Sequence, residues 1–230
     1  MARTVKAPEE RRQELIDTAR QLFYTQGYES TSVHDIVTAV GVSQGTFYYY
    51  FDAKQDVLEA LVTDLVDQSF ELFDAIVADE TLDVVQKWKR AFQIIGNWKL
   101  ARKPEMLAYV SMVRSDANVL FYHKLRTQVT EAAVPALAGI IAQGVQEGTF
   151  ATLPAAQDAK LVAGIVYVIA RHLSDKLVDL ISHPDIAPDA EALALHTFAV
   201  GQQAIERVLG ATPGSLPMVS EDTLRAWFSK

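Results

Sequence analysis

The chain has 230 residues, a formal net charge of −8 and no cysteine. That length can bury a substantial core, and the lack of cysteine removes disulfides, thiolate metal sites and thiol redox chemistry. The first ten residues lack the apolar stretch of a signal peptide, and the longest clearly apolar run, residues 161–170, falls well short of the ~20 residues a bilayer span needs, so a soluble, cytoplasmic protein without a membrane segment is expected.

Pro8, Glu9 and Glu10 read as a helix start, with proline in the first turn and carboxylates at the positive end of the dipole. Leu15, Ile16, Ala19, Leu22 and Phe23 then form a one-face stripe that stops at Gly27. A second helix is predicted from Val33, Ile36, Val37 and Val40, with Ser32 as its N-cap and Asp35 completing a capping box. Gly41 suits a left-handed stop, Val42 plugs the turn, and Ser43 caps a third helix beginning at Gln44. Two helices joined by about three residues make a helix-turn-helix, which lays its second helix in the DNA major groove.

The same residues, Gly41-Val42-Ser43-Gln44-Gly45, match the G-x-S-x-G nucleophile elbow of serine hydrolases. That elbow needs a buried strand before the serine, whereas Val33 to Val40 has a helical period; Ser43 as a nucleophile is therefore the remote alternative.

Further along, Asp52 is expected to cap a fourth helix running through Val57, Leu58, Leu61, Leu65, Phe70 and Phe73 to about Ala78. No Pro-, Gly- or Ser-rich linker separates it from the first three. Later helices are predicted at 82–102, from Pro104 to about 114, at 118–147 with a kink at Pro135, at 155–182, at 189–210 and at 222–228. Five scattered histidines without H-x-x-x-H spacing give no metal site, and no cofactor is indicated. The fold class is all-α: a three-helix DNA-binding domain (1–54), a larger helical-bundle ligand-binding and dimerisation domain (55–212), and a tail with a short helix (213–230). Residues 155–182 are apolar on nearly every face, which asks for burial on every face. Pairing with the alanine-rich helix at 189–210 across a two-fold axis would supply it, predicting a homodimer through residues 156–182 and 189–210.

Over residues 11–61 the chain resembles the DNA-binding domain of TetR-type transcriptional regulators. The resemblance is carried by Arg12, Leu15, Ile16, Ala19, Leu22, Phe23, Gly27-Tyr28, Thr31-Ser32, Ile36, the whole run Gly41 to Phe51, Lys54 and Leu58. The C-terminal part is similar to that family in size and helical pattern only. The resemblance implies a dimeric regulator and places Ser43 and Lys54 at phosphate-contacting positions, with Tyr48, Tyr49 and Tyr50 at the DNA backbone or beneath it. Among the residues themselves, the Gln44 amide can pair bidentately with adenine, Gly45 permits close backbone approach, and the Thr46 methyl can meet a thymine methyl. Ser32, Val33 and His34, in the first turn of the second helix, complete the expected DNA-facing set. Arg3, Lys6, Arg11 and Arg12 form a basic arm.

Charge sets a limit on this reading. Residues 1–54 hold six Lys/Arg against seven Asp/Glu, a net −1, so the usual basic footprint is missing. A shallow salt dependence of DNA binding follows, and the lack of Arg or Lys from Ser43 to Phe51 suggests an operator read through adenine, thymine and shape.

In the second part, Trp88, Phe92, Trp98, Tyr109, Met112, Phe121, Tyr122 and Tyr167 are candidates for an apolar effector pocket, with Arg171 and His172 as polar anchors. Aromatics at helical spacing also make ordinary core; Arg171 and His172 could instead pair with Asp175 or Asp179 across the dimer, and a satisfied structural pair is the plain alternative. The function expected is a ligand-responsive homodimeric repressor that binds a palindromic operator and is released by a small apolar or aromatic effector. The alternative is a helix-turn-helix protein regulated by a protein partner; an enzyme is not expected.

Overall fold

The computed structural model describes residues 7–113, 118–151, 158–183 and 189–229, which form ten α-helices and, among the described residues, no strand. They divide into two units, one drawn from residues 1–67 and 108–122, the other from 68–107 and 123–230.

In the first unit, α1 (Pro8–Gln26) carries proline in its first turn and Glu9 and Glu10 beside it, and buries Leu15, Ile16, Ala19 and Phe23. It ends at Gly27, whose φ of 91° lies outside the range open to side chains with a Cβ. α2 (Val33–Val40) starts in a capping box: Ser32 Oγ accepts from Asp35 N at 3.1 Å, while Asp35 Oδ2 accepts from Ser32 N at 2.8 Å. The Ser32 hydroxyl also donates to Asp35 Oδ2 at 2.6 Å, and that bond first, then the one from Ser32 N, holds the Asp35 carboxyl below its ordinary pKa. Gly41 closes α2 at φ 78°, ψ 35°, and Ser43 caps α3 (Gln44–Tyr50) by accepting from Thr46 N at 3.2 Å.

α4 (Lys54–Val77) begins differently from the Asp52 cap expected of the sequence. The Asp56 carboxylate accepts from Ala53 N at 2.8 Å. This reverses the capping direction: a first-turn acid reaches back for the orphan N–H. Residues 54–67 of α4 fall in the first unit and 68–77 in the second. Ile36, Val37, Phe47, Phe51, Val57, Leu58 and Leu61 complete the first unit's core.

The second unit contains α5 (Val84–Ala101), whose N-cap Asp83 pairs with Gln86 in a capping box, and α7 (Val119–Gln146), which runs through Pro135. α6 (Lys103–Val113) and α7 each cross from one unit to the other. The turn before α5 is tied to the end of α7: Gln143 Nε2 donates to Leu82 O at 2.9 Å and Glu147 Oε2 accepts from Val84 N at 3.0 Å. Lys87, 5 % exposed, donates to Val77 O at 2.6 Å, closing the last turn of α4. α8 (Ala159–Ser182) packs on α9 (Ala190–Leu209), and α10 (Glu221–Phe228) folds back on α5 and α9 with Leu224 and Trp227 buried. The expected start at 155 and the residues after Ser182 that include Pro184 lie outside the described residues.

Candidate nucleic-acid interface

The helix-turn-helix presents one polar, solvent-facing edge because its apolar residues point the other way. Phe47 and Phe51, four apart on the chain, are 0 % and 4 % exposed with rings 5.6 Å apart. That commits the opposite side of α3 to water. Gln44, Gly45, Tyr48 and Tyr49 lie there, with Tyr49 77 % exposed, a large aromatic surface left uncovered. Tyr50 is half-buried and packs edge-on to Tyr49 at 4.9 Å. Thr46 is half-buried too, and its hydroxyl shares a 3.0 Å hydrogen bond with Ser43 Oγ. Ser32 and His34 are exposed at the start of α2, and Val33 between them is half-buried. Arg12, from α1, sits over the Phe51 ring at 5.0 Å, a placement the sequence pattern did not reveal. Arg3 and Lys6 lie outside the described residues.

Lys54 is held differently from its neighbours in the expected set. Its ammonium donates to Tyr28 O at 2.6 Å and Thr31 O at 2.8 Å and lies 4.1 Å from the Tyr28 ring centroid. Burial lowers its pKa, opposed by the charge of Glu29.

Ser43 has none of the geometry of a hydrolytic elbow. The residues before it are helix α2 and not a strand, and its Oγ is engaged as a cap.

Of the candidate effector residues, Trp88, Phe92 and Tyr167 share one core with Val84, Ile140, Ile141 and Val166. Trp88 is fully buried, its ring 4.8 Å from Phe92, and its Nε1–H has no acceptor among the described residues. Trp98 is half-buried under the Arg102 guanidinium at 4.7 Å. Arg171 donates to Asp175 at 3.1 Å one turn along the same helix, and His172 is exposed, so neither ionisable side chain needs a partner from elsewhere to be satisfied. Lys99 is a further cation in this unit, missed in the sequence: burial lowers its pKa, against the pull of Asp175. Tyr122 belongs to the first unit and is half-buried. The side chains of Tyr109, Met112 and Phe121 lie outside the described part. Two surface grooves, of about 140 and 310 Å³, run beside α9 and are lined by none of these ten residues. Among the described residues no His, Cys, Asp and Glu group is arranged to hold a metal ion, and no helix is long and apolar enough to cross a membrane.

A capped eight-residue helix, a glycine turn and a short helix with an exposed polar face make a helix-turn-helix, the unit that DNA-binding proteins lay in the major groove. Residues 15–61 match the family described as bacterial regulatory proteins, tetR family. That match assigns residues 15–61 to the N-terminal domain of the family and concerns those residues. It is 26 % identical over 135 residues to the fatty acid metabolism regulator protein of Bacillus subtilis (strain 168), covering 59 % of this chain and 68 % of that one. It is 37 % identical over 68 residues to the HTH-type transcriptional repressor KstR2 of Rhodococcus jostii (strain RHA1), covering 30 % of this chain and only 33 % of that one. Among solved structures, a TetR-family transcriptional regulator from Pectobacterium atrosepticum has a TM-score of 0.64 at 20 % identity, over 92 % of this chain and 100 % of that one. The fatty acid degradation regulator FadR from Bacillus halodurans has a TM-score of 0.59 at 22 % identity, over 90 % and 97 %. These two likenesses concern the fold.

Proposed function

We propose that the protein is a homodimeric repressor that binds a palindromic operator and is released by a small apolar effector. The observation that carries the DNA-reading half is the uncovered face of α3, where Gln44, Gly45, Tyr48 and Tyr49 stand together in water. An amide and phenolic hydroxyls serve adenine edges and phosphate oxygens respectively, with Ser43, Thr46, Tyr50, Ser32, Val33 and His34 flanking them.

Dimerisation is supported by apolar side chains left in water. On α8, Leu161, Ile165 and Val168 are 75 %, 46 % and 53 % exposed at one-face spacing, and on α9 Leu193 and Val200 are 38 % and 51 % exposed. A second copy would cover both stripes in a four-helix bundle and double the sequence read. A two-fold dimer presents two reading heads, which must stand roughly 34–36 Å apart to enter successive major grooves. An effector acts if it binds more tightly to a dimer with another spacing; equal affinity for both would shift nothing.

The effector reading is supported by the buried Trp88 Nε1–H, a donor in an apolar core that a ligand's polar atom would satisfy. The names of two relatives, regulators of fatty acid metabolism and degradation, accord with an apolar effector. The full burial of Trp88 among packed side chains favours the second reading, a filled core and a protein partner in place of a small molecule.

Selection from a random duplex-DNA pool tests the proposal. An enriched two-fold symmetric site is expected; no enrichment at low salt by folded dimer would overturn it. The site obtained then serves for screening apolar compounds by release of the protein.

A further inference from the structure

Lys54 sits at the first position of α4 but spends its ammonium on another part of the chain. Of its three N–H donors, one goes to Tyr28 O at 2.6 Å and one to Thr31 O at 2.8 Å. The same nitrogen rests 4.1 Å from the Tyr28 ring centroid, and that ring packs edge-on against Phe23 of α1 at 5.0 Å. Both carbonyls belong to the α1–α2 connection. That connection is itself closely built: Thr31, 1 % exposed, donates its hydroxyl to Gly27 O at 2.7 Å and accepts from Gln26 Nε2 at 3.2 Å, and its N–H donates to Tyr28 O at 3.2 Å. The next residue, Ser32, is the N-cap of α2.

We infer that Lys54 is a positioning residue for sequence reading, a clamp that fixes the α1–α2 connection, and through it α2 and α3, to the start of α4. A lysine free to meet a phosphate would keep its head in water. This one is half-buried, and burial lowers its pKa, as expected of an ammonium withdrawn from solvent. Its target atoms are carbonyls fixed in space, so the side chain sets the distance between two elements. α2 is only eight residues long and joins α3 through a three-residue turn. A shift of its first turn would therefore move the turn and the start of α3, where Gln44 lies.

The inference rests on the DNA-reading proposal, and the same selected site tests it separately. Lys54→Met keeps the apolar stem and removes the donors. Its affinity is measured for the selected site and for random duplex DNA over a range of salt, on protein shown to be folded. The clamp predicts an operator affinity lower by about tenfold, an unchanged affinity for random DNA, and an unchanged salt slope. A uniform loss on both DNAs with the slope smaller by about 1 would make Lys54 a phosphate contact and overturn the inference. So would an unaltered operator affinity accompanied only by a lower Tm. Lys54→Arg decides the matter if the methionine variant does not fold. A planar guanidinium serves a phosphate well but does not reproduce a compact ammonium over the Tyr28 ring, so selective loss supports the clamp and full retention overturns it. Failure of the wild-type protein to enrich any site would fall on the DNA-reading proposal; an enriched site bound equally well by wild type and K54M would fall on the clamp alone.

Discussion

Gly201 of α9 meets Leu173 of α8 so closely that a Cβ added to the glycine would stand 2.5 Å from Leu173 Cδ1. Leu173 is 3 % exposed, with little room to withdraw. The glycine is thus what lets the two helices pack at this crossing. Gly201→Ala gains about 1 kcal/mol of helix propensity but overpacks the core at a cost of ~1–3 kcal/mol. A net loss near ~1 kcal/mol is expected, lowering Tm by roughly 2–4 °C for a chain of this size. Adding Leu173→Val should recover part of it; a Tm raised by Gly201→Ala alone would show that the crossing has slack.

The exposed stripe of Leu161, Ile165 and Val168 on α8, with Leu193 and Val200 on α9, predicts the outcome of charging it. Val168→Glu combined with Val200→Glu places carboxylates on both stripes, where burial against a second copy would be costly. Sedimentation should show a monomer with unchanged helical circular dichroism. Affinity for a symmetric operator should fall by more than about 100-fold, since each monomer reads one half-site. A dimer of unaltered strength in the double variant would move the interface elsewhere.

The helix-turn-helix was legible in the sequence because its determinants are local. Ser32 with Asp35, Gly41, and Ser43 with Thr46 all act within a few residues, and the spacing of Phe47 and Phe51 marks the inward face. What escaped depends on distant partners. Lys54 meets carbonyls 23 and 26 residues away, and Lys87 reaches back to Val77. Asp52 fits a cap by residue type and place, but the side chain engaged at this helix start is Asp56, which accepts from Ala53 N. The apolar helix around Arg171 points to a partner from outside; the position one turn along, Asp175, supplies it instead. The aromatic run was the least legible part. Helical spacing is the same whether a ring lines a pocket or fills a core, and Trp88 fills one.

Gln44 and Tyr49 should separate reading from holding. Gln44→Ala removes the one amide on the exposed face of α3 and should cost ~1–3 kcal/mol on the selected site, relaxing the preference at one position while random DNA is bound as before. Tyr49→Phe removes a phenolic donor that is 77 % exposed. It should weaken both DNAs alike, by a few-fold. With a net charge of −1 over residues 1–54, the salt slope should correspond to only a few phosphates per subunit. A steep slope, as for a strongly basic binder, would contradict this.

Glu206 makes acid stability testable. It is 3 % exposed near the end of α9, where its carboxylate accepts from Gly214 N at 2.9 Å, Leu216 N at 3.0 Å and Gln202 Nε2 at 2.9 Å. Burial pushes its pKa up, but the three donors together outweigh that and hold it below the ordinary value. The sign follows: a group depressed in the folded state adds stability above its unfolded pKa, and that stability disappears as pH falls through the folded pKa. The loss should appear below the ordinary glutamate range and concern the stretch that leads to α10, where Leu216 and Met218 are buried. Glu206→Gln cannot reproduce two charged acceptors and should cost ~1–3 kcal/mol at neutral pH. Urea melts from neutral pH into the acid range, followed by Trp227 fluorescence in a variant with Trp88 and Trp98 replaced by Phe, would measure both effects. The curves of the parent and of its Glu206→Gln variant should converge at the acid end; a constant gap across the range would show that Glu206 contributes by packing and not by charge.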